Sequence, residues 1–195
     1  KLYVLASHFH PDHFNKEILQ WREQRPDIIY IFSKDILRHR RAQKEDAVWL
    51  KKGEEYKDET LSVRAFGSTD VGVSFLLQAS GKKIFHAGDL NNWHWMDEST
   101  EAEWKGAEKN FLHELDDLYA YTPEVDVAMF PVDPRLGKEY MRGAGQFVTK
   151  IKTHIFVPMH FTPEYAKANA FRDFAEAHGV RFVSLTHRGQ KIEIE

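Results

Sequence analysis

The amino-acid sequence predicts a layered α/β domain, because segments with strand and helix patterns alternate along all 195 residues. Strand-like segments are grouped early and alternate with helices later, so the pattern has both α/β and α+β character. No internal repeat or long linker interrupts the alternation. A chain of this length can build one continuous hydrophobic core, so we expect a single domain spanning residues 1–195.

The first half of the chain begins with the apolar run Leu2–Ala6, which has the composition of a buried strand. Asn15 and Ser33 are residue types that cap helices, and a helical pattern follows each of them. The elements expected here are, in order, a strand over 2–6, a helix from Asn15 that ends before Pro26, a strand over 27–32, a short helix over 34–41, a strand over 61–66 and a hairpin of strands 74–79 and 83–86.

Helices and strands alternate more regularly in the second half. Thr100 and Glu103 have the spacing of a capping box, in which each side chain bonds the backbone amide of the other residue. The elements expected here are, in order, a helix from Thr100 to about Tyr119, a strand over 125–130, a helix over 139–150, a strand over 153–158, a helix over 163–178 and closing strands over 180–185 and 191–194.

Directly after the first strand, the segment His8-Phe-His10-Pro-Asp12-His13 places three imidazoles and a carboxylate within six positions. Alternate residues of an extended segment point the same way, so His8 and His10 can converge on one point. Asp12 and His13, which follow the proline, can address a second point beside it. Imidazole nitrogens and carboxylate oxygens are the ligands of catalytic Zn²⁺, Fe and Mn²⁺ sites. The segment therefore predicts a metal-binding active-site loop.

Composition narrows the function classes further. Because the chain has no cysteine, it cannot use disulfides, thiolate zinc ligands or thiol catalysis. No apolar run approaches the roughly 18–20 residues that cross a bilayer, and no signal-peptide pattern opens the sequence, so we expect a cytoplasmic protein without a membrane partner. The net charge of −3 lacks the basic excess of a nucleic-acid footprint, so we expect a small-molecule substrate instead.

Three motifs together resemble the metallo-β-lactamase superfamily of dinuclear metal hydrolases. The loop from His8 to His13 is similar to the signature loop of that family. Ile84-Phe-His-Ala-Gly-Asp89 resembles the segment whose aspartate bridges the two metals, and Ile155-Phe-Val-Pro-Met-His160-Phe resembles the late strand whose terminal histidine binds the second metal. Within the superfamily, the His-Ala-Gly-Asp and Pro-Met-His-Phe sequences look closer to the ascorbate-phosphate-lactonase-like hydrolases than to true β-lactamases.

The resemblance implies an αββα sandwich, in which helices flank two central sheets, and a centre of two divalent ions that could be Zn²⁺, Mn²⁺ or Fe. By resemblance, one metal is held by His8 and His10, the other by Asp12, His13 and His160, and Asp89 bridges them. Asp12 would also orient the nucleophile. The implied activity is the hydrolysis of a small ester, lactone or phosphate ester by metal-bound hydroxide, with Asp12 and Asp89 as the catalytic carboxylates.

The sequence departs from the family pattern in two places. The signature loop begins at the eighth residue, whereas the family usually has several strands before it. We therefore expect that a preceding segment is missing from this sequence, the alternative being a partner, such as a second copy of the chain, that covers the open sheet. The third histidine of the first metal site is also absent, because the matching segment 63–72 has Gly67 at the expected ligand position.

Asp70 is the nearest side chain that could replace the absent histidine, and His94 is a further candidate. We predict that Asp70 faces the metal site, the alternative being that it caps a turn through backbone amides. If neither residue replaces the histidine, the chain has lost one of the two metals. It is then a descendant that holds a single metal or only binds a ligand. A nuclease or phosphodiesterase of the same superfamily is the other alternative, which the missing basic surface disfavours.

Overall fold

A computed structural model describes residues 1–193 and contains two β-sheets. The smaller sheet is parallel and has the strand order β1-β2-β3. Its strands are β1 (Leu2–Ala6), β2 (Ile28–Ser33) and β3 (Val48–Leu50). The central strand β2 is a run of β-branched and aromatic residues, which suits a strand that is covered on both faces.

The larger sheet has seven strands in the order β10-β9-β8-β7-β6-β5-β4. Strands β4 to β7 pair antiparallel, and β7 to β10 pair parallel. The strands are β4 (Glu55–Lys57), β5 (Ser62–Phe66), β6 (Ser74–Ala79), β7 (Lys82–His86), β8 (Glu124–Pro131), β9 (Lys152–Met159) and β10 (Arg181–Phe182). The parallel half therefore brings the carboxyl ends of β7, β8 and β9 to one edge of the sheet.

Helices supply the connections and the outer layers. The α-helices are α1 (Lys34–Arg38), α2 (Glu101–Tyr121), α3 (Arg142–Lys150), α4 (Tyr165–Asn169) and α5 (Arg172–Ala177). Short 3-10 helices span Lys16–Glu23, Lys44–Asp46 and Pro134–Glu139. Helix α2 begins with the predicted capping box, in which Thr100 and Glu103 bond reciprocally. Among the helices formed by residues 1–193, none has the length and apolarity needed to cross a membrane.

Hydrophobic side chains stack these elements in four layers. On β2, Ile31 packs toward the larger sheet, where it meets Val63 and Phe75, while Tyr30 and Phe32 pack on the opposite face. This alternation follows from the two-residue period of a strand. The far face of the larger sheet packs against helices α2 and α3. Burying each large side chain contributes about 1.5–3 kcal/mol, so both faces of both sheets stabilise the sandwich. The expected αββα arrangement is confirmed.

Several predicted boundaries were wrong. The segment after Asn15 is a 3-10 helix, and the helix expected over 139–150 begins only at Arg142. The single helix expected over 163–178 is two helices, α4 and α5. Where α4 ends, the side chain of Asn169 bonds the backbone of Leu185. Strands β3 and β4, with three residues each, are too short to give a recognisable pattern.

The end of the chain also differs from the prediction. Only Arg181–Phe182 of the strand expected over 180–185 pairs with β9. Beyond it, the side chain of Gln190 donates to Ser184 O and accepts from Thr186 N, which folds this segment back on itself. Residues 191–193 of the last predicted strand are irregular, and Ile194 lies outside the described residues.

Candidate metal centre

The histidines and aspartates of the three sequence motifs lie close together at the carboxyl ends of strands. His8 follows β1, Asp89 follows β7 and His160 follows β9. Two glycines let their loops pack closely against Ser7, which directly precedes His8. A Cβ on Gly72 would lie 2.1 Å from Ser7 O, and one on Gly88 would lie 2.9 Å from the Ser7 side chain. Both glycines also have positive φ angles, of 75° and 55°, that other residues rarely adopt.

Asp89 is the point on which three imidazoles converge. Its Oδ2 lies 3.4 Å from His8 Nε2, and its Oδ1 lies 3.3 Å from His13 Nε2 and 3.4 Å from His160 Nε2. Nevertheless, His8 Nε2 and Asp89 Oδ1 are buried and make no hydrogen bond among the described residues. A buried polar atom without a partner costs about 1–3 kcal/mol, so this convergence fits a cation held between the rings and the carboxylate.

His8 is fully buried, and its Nδ1 lies 3.0 Å from Ser7 Oγ. Burial lowers the pKa of His8 to about 4, although the nearby Asp89 opposes that shift. The ring is therefore neutral at neutral pH. A neutral imidazole with a free Nε2 lone pair is the form that binds a metal.

His160 is oriented by a buried carboxylate. Its Nδ1 lies 2.9 Å from Oδ2 of Asp133, which leaves Nε2 directed at Asp89. Burial alone would lower the pKa of His160, but the hydrogen bond to Asp133 and the adjacent Asp89 raise it to about 9. Burial would likewise raise the pKa of Asp133, but hydrogen bonds from His160 and Arg135 lower it to about 2. Carboxylates commonly orient metal-binding histidines in this way.

Arg135 completes this arrangement. Its Nε lies 3.0 Å from both carboxylate oxygens of Asp133, and its Nη2 lies 2.6 Å from Oδ2. Asp133 also caps the 3-10 helix Pro134–Glu139, because its Oδ1 accepts from the backbone of Arg135. The sequence analysis did not identify Arg135 or the orienting role of Asp133. Their position just beyond the end of β8, beside the β9 histidine, was the available signal.

The other half of the site contains His10 and Asp70. His10 Nδ1 lies 3.8 Å from Asp70 Oδ2, and one ligand atom each of His10, Asp70 and Asp89 lie within 4.8 Å of one another. The Asp70 side chain makes no hydrogen bond to backbone amides among the described residues, so it does not cap the turn. Asp70 therefore lies where a replacement ligand would be needed.

Gly67 does not point toward this site. A Cβ built on Gly67 would lie 2.0 Å from Glu114 Oε2, on helix α2. The ligand position that the sequence suggested at Gly67 was therefore wrong, because a side chain there would be directed at α2. Glu114 is held in that place by Lys52, whose Nζ lies 2.7 Å from the carboxylate.

The remaining candidates have different roles. His94 is buried, and both of its ring nitrogens lie near backbone atoms: Nε2 is 3.1 Å from Glu139 O, and Nδ1 accepts from Met96 N. This arrangement does not favour His94 as a ligand. Asp12 is exposed and lies 3.6 Å from His13 Nε2, at the solvent side of the site. His86 accepts a hydrogen bond from Gly88 N and thus supports the loop that carries Asp89.

Comparison with known proteins identifies the family. A family model described as the β-lactamase superfamily domain matches residues 2–161. The chain belongs to this superfamily. A search of curated proteins gave no significant match. The ascorbate-phosphate-lactonase branch stays a prediction.

Solved structures share the superfamily fold at low sequence identity. Igni18, a metallo hydrolase from the archaeon Ignicoccus hospitalis, is 18% identical, with a TM-score of 0.64 over 95% of this chain and 76% of its own. Zn²⁺-bound PqqB from Methylobacterium extorquens is 16% identical, with a TM-score of 0.54 over 93% and 70%. CmlA, a diiron β-hydroxylase from Streptomyces venezuelae, is 14% identical, with a TM-score of 0.60 over 94% and 43%. These structures show that one fold carries different metals and reactions.

Proposed function

We propose that this β-lactamase superfamily protein is a metal-dependent hydrolase that holds two divalent ions. The observation that carries the proposal is the convergence of His8, His13 and His160 on Asp89, at distances of 3.3–3.4 Å. Two of the atoms involved, His8 Nε2 and Asp89 Oδ1, are buried and lack hydrogen-bond partners. A purely structural histidine cluster would satisfy these atoms.

The ligands divide into two sets that share Asp89. His13 and His160 lie near Asp89 Oδ1, and we assign Asp12, beside His13, to the same set. His8 lies near Oδ2, and we assign His10 and Asp70, which lie with Asp89 in one candidate metal group, to this second set. We name these the His160 half and the His10 half of the centre. The second set gains a carboxylate where the family has a histidine, which favours Mn²⁺ or Fe over Zn²⁺ in that half.

The substrates we propose are small esters, lactones or phosphate esters. When bound, divalent metals lower the pKa of a coordinated water toward about 7 and stabilise negative charge that develops on oxygen. Asp12, exposed beside His13, is placed to accept a proton from the attacking water. Trp93 packs its ring edge-on against His160 at 5.4 Å and donates to Asp89 O, so it shields the centre on one side.

A single-metal protein is the second candidate. The exposure of the proposed ligands in the His10 half favours this candidate. The His10 and Asp70 side chains are 37% and 45% exposed, and His10 Nδ1 lies 3.8 Å from Asp70 Oδ2. Ligands on mobile or solvated side chains bind metal more weakly than ligands that are held in place.

Metal content tests both candidates. The chain is purified without added metal, and bound metal per chain is measured by mass spectrometry, together with turnover of aryl phosphate esters and lactones. About two equivalents and hydrolysis would support the dinuclear hydrolase, and one equivalent would support the single-metal protein. Absence of metal and of turnover, also after incubation with Zn²⁺, Mn²⁺ or Fe²⁺, would contradict both. His154→Ala is the matched control, because His154 is an exposed histidine that contacts Glu124 on the sheet.

A further inference from the structure

A cavity of about 830 Å³ opens beside the His160 half of the metal centre. Asp12, His13 and His160 line one side of it, and Met159 and Phe161 provide apolar wall. Pockets that enclose small molecules have volumes of about 300–1,000 Å³, so the cavity can hold a small substrate with its reactive bond near the histidines.

Three acidic side chains and three basic side chains line this cavity: Asp12, Asp133 and Glu164, and Arg135, Lys167 and Arg188. They differ in how each is paired, and Asp12 lies beside His13. Glu164 and Lys167 form an ion pair at 3.2 Å, and Asp133 is bonded by Arg135 and His160. Arg188 also lines the cavity but has no acidic partner within residues 1–193. A guanidinium beside a cavity attracts a group of opposite charge.

Arg135 is a second guanidinium on the same cavity, and its position is held. The Nε and Nη2 groups of Arg135 donate hydrogen bonds to Asp133, whose side chain is only 1% exposed. The Arg135 side chain itself is 65% exposed. Nη1 makes no hydrogen bond among the described residues. Its Nη2 also lies 3.3 Å from His160 Nδ1, so the guanidinium is next to the metal centre. A guanidinium that is already oriented loses little conformational entropy when it binds an oxyanion.

We propose that the cavity selects substrates that carry an anionic oxygen group, a carboxylate or a phosphate, and that Arg135 and Arg188 bind this group. The inference rests on the proposed hydrolase function, because it places the scissile bond at the centre formed by His13 and His160. A guanidinium is opposite in charge to both oxyanions, and its planar N–H donors can bind two oxygens of either group. The two oxyanions therefore share one recognition chemistry, and the experiment separates them.

The test compares two esters with the same leaving group and chain length. Mono-p-nitrophenyl adipate carries a distal carboxylate, and p-nitrophenyl hexanoate carries a methyl group instead. We expect kcat/KM to be at least about tenfold higher for the adipate, because one charge-assisted hydrogen bond contributes that much. In Arg188→Gln, the ratio of the two kcat/KM values should fall about tenfold. Arg25→Gln is the control for loss of one charge, because Arg25 is an exposed residue that pairs with Asp27.

Direct binding to the metal-loaded protein provides a readout that does not need hydrolysis. Calorimetric titration with adipate and with inorganic phosphate should give dissociation constants about tenfold higher in Arg188→Gln than in the Arg25→Gln control. Arg135→Gln, compared at equal bound metal, should weaken binding by a similar factor. The anion that shows the larger change identifies carboxylate or phosphate as the natural group.

The outcomes separate this proposal from the hydrolase function. If neither ester is hydrolysed but anion binding depends on Arg188, the cavity proposal stands, and the hydrolase function is decided separately by the metal content and by turnover of aryl phosphate esters and lactones. If both esters are hydrolysed at equal rates and Arg188→Gln binds both anions like the control, the cavity proposal is overturned and the function stands.

Discussion

The two halves of the proposed metal centre differ in how firmly the fold orients His160 in one and Asp70 in the other. In the His160 half, the orienting Asp133 side chain is 1% exposed and lies 2.9 Å from His160. In the His10 half, Asp70 is 45% exposed and lies 3.8 Å from His10. The fold therefore orients His160 firmly, whereas His10 and Asp70 would have to move closer together to share an ion.

Strand pairing explains this difference. Strands β8 and β9 are adjacent and parallel, with Pro131 opposite Met159, so Asp133 and His160 leave the sheet side by side. His10 lies in the loop after β1 of the smaller sheet, whereas Asp70 lies in the loop between β5 and β6 of the larger one. Among the described residues, no pairing between strands holds the loop that carries His10 next to the loop that carries Asp70. Loops that carry ligands without such support are more adaptable.

The largest expected effect is at His13 and Asp12, in the His160 half. His13→Ala or Asp12→Ala should lower turnover about a thousandfold or more, because each removes a proposed ligand or the proton acceptor. Circular dichroism should show an unchanged fold, since these side chains serve the site and not the core. Wild-type turnover and metal content in both variants would contradict the assignment, and His154→Ala serves again as the control.

Asp133→Asn should produce the next largest effect. Asparagine keeps the shape but loses the charge that holds His160 and Arg135, so affinity for one metal equivalent should fall about 10–100-fold. Metal titration of the apo protein measures this fall. Asp116→Asn is the matched control, because Asp116 is an exposed aspartate on helix α2. Equal affinities in the two variants would mean that Asp133 only caps its helix.

Asp70→Asn tests the weaker half and should change less. We expect about a tenfold lower affinity for the other metal equivalent, since the retained His8, His10 and Asp89 still bind. Asp70→His should restore the affinity and shift the preference from Mn²⁺ toward Zn²⁺, because imidazole suits zinc better than manganese. Titration of both variants with the two metals measures the shift. Unchanged affinity in Asp70→Asn would leave the His10 half without a third ligand.

Gly67→His should have the smallest effect on metal binding, although it inserts a histidine at the position where the family pattern expects one. The new side chain would meet Glu114 and disturb its ion pair with Lys52. We therefore expect unchanged metal affinity and a free energy of unfolding lower by about 1–3 kcal/mol, measured by urea denaturation. A gain in Zn²⁺ affinity would show that position 67 reaches the centre after all.

Much of the fold could be predicted from local patterns. Strands β1, β2 and β5 to β9 appear within a few residues of their expected bounds, because each is a short apolar or alternating run between turn residues. Helix α2 follows from its capping box. The three-residue strands β3 and β4 were missed, since pairing with neighbours rather than their own sequence stabilises them.

The candidate metal-binding loop is what the sequence determined by itself, because spacing within a few residues decides which way neighbouring side chains point. His8, His13, Asp89 and His160 were each recognisable in their own motif, and tertiary structure brings them together. Only the tertiary structure decided that Asp133 and Arg135 support His160, that Gly67 faces Glu114 and that Asp70 lies beside His10. These contacts join residues far apart in the chain, and their distances depend on sheet register and loop packing, which local sequence does not encode.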